Sequence, residues 1–277
     1  MASPDIDDAF VKQFESEAHL DYQQMGSKLR NTVRTKSGIT GESTTFQVIG
    51  TASAGTKSRE GDIPVVHPQH SVVECTLQDR YAAVYVDKLD ELKIQHDERA
   101  AQSKNIAGAM GRDTDDILTT AMDATTNANN IGSAATWDAV AKPIALMEAM
   151  GKASVPFDGN LYAVIPWAAW GDLLDLDEFD NADYVQSEKL WFEGVTSKTW
   201  LGFKWFPHEN LPPSASVDQK AFLYHSSSVG HAIGKDFSMR MDYVPTKDST
   251  LAASSMSHGA VIIDHDGIIE VLYNSVA

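Results

Sequence analysis

An α+β fold with projecting arms is predicted for this chain of 277 residues, on three observations. Two strand-like runs rich in Val, Thr and Tyr, TTFQVI (44–49) and SVVECTLQDRYAAVYV (71–86), flank a tip whose Gly, Ser and Pro content leaves it no core. A proline-free stretch of helical composition follows from Asp87 to Asp123. The C-terminal third then breaks into short strands with polar connectors.

Bulk properties narrow the function classes. With 43% hydrophobic and 22% charged residues, the chain can bury a sizeable core as one elaborated domain or two interleaved ones. No apolar run reaches the roughly 18 residues of a membrane span. The start, MASPDIDDAFVKQFESEAHL, is acidic and polar where a signal peptide would be basic and then apolar. Synthesis and retention in the cytoplasm, with no membrane partner, is the expectation. The formal charge of −17, from 22 basic against 39 acidic residues, argues against a surface that grips duplex DNA. It suits equally an enzyme in a crowded cell and a container that must not cling to packed DNA.

The elements follow in order. Residues 1–35 read as an extended or partly helical arm in which Phe10, Val11 and Phe14 form a small apolar face and NTVRTKSGITG breaks any helix. The two strand-like runs and the segment GTASAGTKSREGDIPVVHPQH between them read as a long two-stranded ribbon. Such a ribbon is barely stable alone and needs a neighbouring subunit. Residues 87–123 would span about 50 Å as one helix at ~1.5 Å per residue. Leu89, Leu92, Ala100, Ala107, Met110, Ile117 and Ala121 fall near heptad spacing, but the stripe is thin, which favours a partly wet strut over a coiled coil. A second helix runs from Trp137 to Met150, where Pro143 either kinks it or marks where its regular part begins. KASVPFDGNLYAVIPWAAWGDLL then reads as a turn at Val155-Pro156, a buried strand from Leu161 to Ile165, and a helix opened by Pro166 that carries Trp170, Leu173 and Leu174. The last two strands, HGAVIIDH and GIIEVLYN, read as a hairpin joined at Asp266-Gly267.

Reactive chemistry is sparse. The sequence has no GxGxxG, GxxxxGK[ST], GxSxG, HExxH or CxxC pattern, so no catalytic residue and no cofactor is expected. Cys75 cannot form an internal disulfide and falls in an alternating run that expects a small buried residue. His67 and His70, and the triplet Asp264-His265-Asp266, are close enough in sequence to share a metal. The first pair lies in the polar tip, though, and alternation at a strand end sends the neighbours of the second to opposite faces, so turn or surface roles are favoured. Gly108 and Gly111 read as close-packing points on a helix.

The order of elements resembles the major capsid protein of tailed double-stranded DNA bacteriophages, the Hong Kong 97-type fold. The most specific part is ALMEAMGKASVPFDGNLYAVIPWAAWGDLL, similar to the family's helix, VP turn, proline-ended strand and following helix. GVTSKTWLGFKWFPHENLPP, AFLYHSSSVGHAIG and SHGAVIIDHDGIIEVLYN continue the match towards the C-terminus. The resemblance implies an N-terminal arm at 1–37, an extended loop at 38–80, a peripheral domain at 81–220 with a spine helix near 87–123, and an axial domain at 221–277, the domains being interleaved. It implies subunit contacts through Phe10 and Phe14 of the arm and Gly50, Thr51, Ala54, Lys57, Arg59 and Glu60 of the loop tip. Some relatives weld subunits by a lysine–asparagine isopeptide bond. Lys57 lies in the tip, but neither the asparagine nor the assisting glutamate is placed, so no crosslink is carried over.

The implied function is a shell of hexamers and pentamers that encloses double-stranded DNA without sequence-specific binding, in a virion made in the host bacterial cytoplasm. The implied partners are other copies, a portal protein and a separate scaffolding or decoration protein. Many relatives begin with a removable helical scaffold. The residues ahead of Asp87 are needed for the arm and loop, so an untrimmed coat protein is expected. Two alternatives stay open: an encapsulin-type compartment shell, separable by whether DNA or protein cargo co-purifies, and a metal-dependent hydrolase using His67, His70, Asp264 and His265, separable by metal analysis.

Overall fold

The computed structural model describes residues 24, 26–91, 97–128, 137, 139–180, 197–212 and 219–273. After a 3-10 turn at Arg30–Thr32, its elements are β1 (Arg34–Ser37), β2 (Ser43–Ile49), β3 (His70–Thr76), β4 (Gln78–Asp87), α1 (Lys88–Glu91) and α2 (Glu98–Asp123). Then come α3 (Ala141–Lys152), β5 (Leu161–Ile165), α4 (Trp167–Leu174), α5 (Asp177–Asp180), β6 (Lys198–Trp200), β7 (Phe203–Pro207), β8 (Gln219–His225), β9 (Val229–Val244), β10 (Ser249–Ile262) and β11 (Ile268–Tyr273). They form a five-stranded sheet in the order β11-β8-β5-β7-β6, a four-stranded sheet in the order β1-β9-β10-β4, and the two-stranded ribbon β2-β3.

The five-stranded sheet explains why β5 reads as continuously apolar: it is buried on both faces. Leu161, Ala163 and Ile165 face a core closed by Leu146 and Met150 of α3 and by Trp170 and Leu173 of α4. Trp137 packs edge-on against Trp205 there, with ring centroids 5.5 Å apart. Val164, Phe222 and Tyr224 face the opposite way, onto Leu29, Leu118, Met122, Val229 and Ile262. Pro166 caps α4 in extended conformation, as the sequence requires.

Four sequence expectations are corrected. The helix expected over 87–123 starts later: Asp87 is the last residue of β4, paired with Ser249, and its Oδ1 accepts the Leu89 N–H at 2.7 Å, while Asp97 caps α2 by accepting from Ala100 N–H at 3.1 Å. The 26 residues of α2 span about 39 Å at ~1.5 Å each. Its buried stripe is Ile106, Met110, Thr114, Leu118 and Met122, at i,i+4 spacing, whereas Ala100 and Ala107 of the expected stripe are exposed. The helix expected from Trp137 begins at Ala141, which places Pro143 in its first turn, where a missing N–H is harmless. The run 71–86 is two strands in different sheets, separated at Leu77, whose N–H reaches the Glu42 carbonyl at 2.8 Å.

The fourth correction concerns the C-terminus. Asp266-Gly267 does make a turn, but β10 and β11 do not pair. Strand β10 lies between β9 and β4, and β11 pairs with β8, Ile268 opposite Tyr224. Burial decides it, because β11 is apolar on both faces and supplies Ile268 to one core and Ile269 and Val271 to the other. The two sheets therefore interleave across residue 220: β8 and β11 join β5–β7, while β9 and β10 join β1 and β4.

Candidate assembly surfaces

The ribbon leaves the body at its base only. Thr44 pairs with Cys75 and Phe46 with Val73, on one face, and Phe46 and Cys75 pack against Ala232 of β9. Cys75 is buried, and burial pushes its thiol up from its ordinary pKa against a weaker opposing backbone hydrogen bond from Ala232, which fits the packing role expected of it. Among the described residues, the ribbon beyond Val48 packs on no core. Ile49, Val72 and, in the tip, Ile63 at 74% exposure and Val65 are open to solvent. The Gly50 N–H still closes onto the Gln69 carbonyl at 2.7 Å, and the Gly61 N–H onto Ser58 at 3.2 Å, but no strand or helix forms between them. A core-less two-stranded projection with exposed apolar side chains gains stability by pairing with something outside itself.

A second open surface lies on the four-stranded sheet. Register puts Val84 with Ala252, Ala82 with Ser254, and Arg80 with Met256 on the face under α2, where Thr114 reaches the Met256 sulfur at 3.9 Å. The opposite face carries Tyr81, Ala83 and Tyr85, with Tyr81 75% exposed and the Lys247 ammonium 3.9 Å from the Tyr85 ring centre. Among the described residues strand β4 is an edge strand, bonded only to β10, which leaves its outer backbone groups open to further pairing.

A third feature was not legible in the sequence. Asp115 of α2, 0% exposed, gathers residues 24–29, the inner part of the expected arm. Its Oδ1 accepts from Ser27 Oγ at 2.5 Å and Leu29 N–H at 3.1 Å; its Oδ2 accepts from Lys28 N–H at 3.0 Å and Gln24 Nε2 at 2.5 Å, and contacts His208 Nε2 at 2.9 Å. Burial alone would push the carboxyl up. The hydrogen bonds from His208, Ser27, Lys28 and Leu29 outweigh it and hold the carboxyl below its ordinary value. Next to this clamp Gly111 touches the backbone of Gly26, so closely that a side chain would overlap it, which fits the close-packing role expected of Gly111.

Of the contact candidates, Gly50, Thr51, Ala54, Lys57, Arg59 and Glu60 lie together at the exposed end of the ribbon. Phe10 and Phe14 lie outside the described residues. The histidines raised for metal binding do not converge. His67 and His70 sit exposed on the ribbon, the His265 ring accepts from Thr126 N–H at 3.3 Å, and Asp264 accepts from Asp266 N–H at 3.0 Å within its turn. Among the described residues no cluster of His, Cys, Asp and Glu could hold a metal ion. No described helix is long and apolar enough to cross a membrane.

Comparison with known proteins gives these surfaces a context. The family model for phage capsid proteins matches residues 6–275. The chain belongs to the phage capsid protein family. Its fold is similar to that in the capsid structure of the cyanophage P-SCSP1u, at 16% identity, covering 98% of this chain and 95% of that one with a TM-score of 0.77. It is similar also to a structure of Mycobacterium phage Che8, at 17% identity, 95% and 97% coverage and a TM-score of 0.74. A virus-like particle from Pyrococcus furiosus matches at 16% identity, 89% and 92% coverage and a TM-score of 0.60. No curated protein matches the sequence. The capsid protein is thus a structural shell component with the Hong Kong 97-type α+β fold and not an enzyme, which removes the hydrolase reading. The compartment-shell reading is not favoured, because the family match is to phage capsids.

Proposed function

We propose that copies of this capsid protein close into hexamers and pentamers that tile an icosahedral shell around double-stranded DNA. The observation that carries this reading is the β2–β3 ribbon, which beyond Val48 packs on no core among the described residues and exposes Ile49, Ile63 and Val65, with Val72 exposed beside Gln47. In this reading residues 38–80 act as the extended loop and lie over an adjacent copy through Gly50, Thr51, Ala54, Lys57, Arg59 and Glu60. The arm, 1–37, reaches another copy through Phe10 and Phe14. The peripheral and axial regions, expected at 81–220 and 221–277, then each draw strands from both sides of residue 220, with α2 as the spine. Closed symmetry and strand pairing between copies supply the cohesion. DNA is held by enclosure, because a chain of charge −17 offers it no general attraction. A portal protein and a separate scaffolding or decoration protein complete the set of partners.

The test is to shorten the tip between Gly50 and Gly61. The variant is expected to keep the circular dichroism of the intact subunit and to form few closed particles by electron microscopy, because the removed residues touch no core. Unfolded aggregate would place the tip in the core and sink the reading, as would a normal yield of shells. A full-length chain that stays a monodisperse monomer over a wide range of concentration and salt would refute self-assembly itself.

A further inference from the structure

A buried chain of side chains joins α2 to the β9–β10 hairpin, and its hydrogen atoms can be placed by elimination. His231 Nε2 lies 3.2 Å from His258 Nδ1, and His258 Nε2 lies 3.3 Å from Asp113 Oδ2. An ionised carboxylate only accepts, so His258 donates from Nε2 and its Nδ1 carries a lone pair. His231 must then donate from its own Nε2, which leaves its Nδ1 as a bare acceptor. That atom is buried with no partner among the described residues. Both imidazoles are fully buried.

We propose that this His231–His258–Asp113 relay is an acid-sensitive latch, closed while both imidazoles are neutral and opened by protonation, that holds α2 to the β9–β10 hairpin. A proton has two places to go, and each breaks the arrangement. On His258 Nδ1 it sets two donors against each other, and the His231–His258 bond survives only if His231 moves its own hydrogen to Nδ1, where that N–H is buried with nothing to receive it. On His231 Nδ1 it creates a buried N–H and a buried charge with nothing to receive them. The charged groups around the pair do not rescue the cation. Arg30 of the 3-10 turn and Arg80 of β4 oppose it; Asp236 of β9 is taken by Arg30 at 2.7 Å, and Asp113 of α2 is shared with Arg80 at 3.6 Å. On β1, the residue in register with His231 is the uncharged Thr35. Burial foremost, and then His258 and Arg30, depress His231 from an ordinary 6.5 to about 4, and burial also lowers His258 despite Asp113.

The sign follows from these depressed values. The opened state takes up protons near pH 6.5 and the closed state only near 4, so the latch is at full strength above 6.5 and weakens as pH falls between the two. The experiment is hydrogen exchange by mass spectrometry on the purified full-length protein from pH 7.5 to 4.5, corrected for intrinsic rates. Protection of peptides around 106–118, 229–236 and 254–262 should fall by about tenfold per pH unit for each proton taken up, with peptides in α3 and α4 unaffected. In His231→Leu the fall should lose one proton's worth of slope. Nitrogen-15 spectra of the wild type should show both rings neutral with the hydrogen on Nε2 at pH 6. Flat protection over this range, an unchanged slope in the variant, or rings that titrate near 6.5 would each overturn the latch.

Discussion

Asp115→Ala is expected to destabilise the folded subunit by about 3–5 kcal/mol, the range for breaking a buried, hydrogen-bonded charge network from one side. The size comes from what is left behind. The N–H groups of Lys28 and Leu29, the Ser27 hydroxyl and the buried His208 ring all lose their partner at once. Asp115→Asn should do nearly as badly, because it turns one acceptor into a donor that faces donors. Removing His208 as well should rescue little, since the backbone N–H groups remain orphaned. Urea unfolding measures the loss as a lower midpoint at unchanged slope, and limited proteolysis should find cleavage newly open around residues 24–29. A midpoint within error of the wild type would mean that the clamp contributes nothing.

The same clamp sets an acid limit. Asp115 is held below its ordinary 3.8, so the stabilisation it provides is fully present above that value and is lost as pH falls through the lower, folded one. This separates it from the histidine latch, which weakens between 6.5 and about 4. An acid titration followed by hydrogen exchange should therefore show the region around His231 and His258 loosening first and the segment around Ser27–Leu29 later.

Local order was legible in the sequence and long-range bonding was not. The β5–α4 unit could be read because every signal in it is local: an apolar run, a proline that ends the strand, and tryptophan and leucine at helical spacing. The ribbon could be read for the same reason. The pairing of β11 is not legible locally, because Asp266-Gly267 signals a turn but says nothing about which strand the chain pairs with next; burial on both faces sends β11 to β8. The start of α2 is not legible in the sequence because Lys88, Leu89, Glu91, Leu92 and Lys93 carry good helix propensity, while the end of β4 is set by its register with β10. Asp115 is not legible because its partners are distant in the chain, Leu29 and His208 among them, and an aspartate inside a polar helix looks like a solvated one.

Phe46→Ala is expected to detach the ribbon without unfolding the body, and so to suppress shell formation in subunits that remain native elsewhere. The ring is 3% exposed and sits where the ribbon meets β9. It fills the space above Gly230, where a side-chain carbon would come within 2.8 Å of it, and Arg34 and Lys36 lie 5.8 and 5.9 Å from its centre. Lys36 also ties down β2 by donating to Thr44 Oγ1 at 2.7 Å. Truncating a buried phenylalanine costs about 3–5 kcal/mol where the cavity cannot collapse. Here the affected cluster, Phe46 with Cys75 and Ala232, is separate from the two larger cores, so the loss falls on the ribbon. Hydrogen exchange should rise sharply over 43–76, the urea midpoint of the body should move little, and particle yield should drop as it does for the shortened tip. Gly230→Ala, which pushes the ring from the other side, should produce the same pattern. If either variant assembles normally with a loosened ribbon, the ribbon is not what joins the copies. If the whole body unfolds early instead, the small cluster belongs to the main core and the projection is not an independent arm.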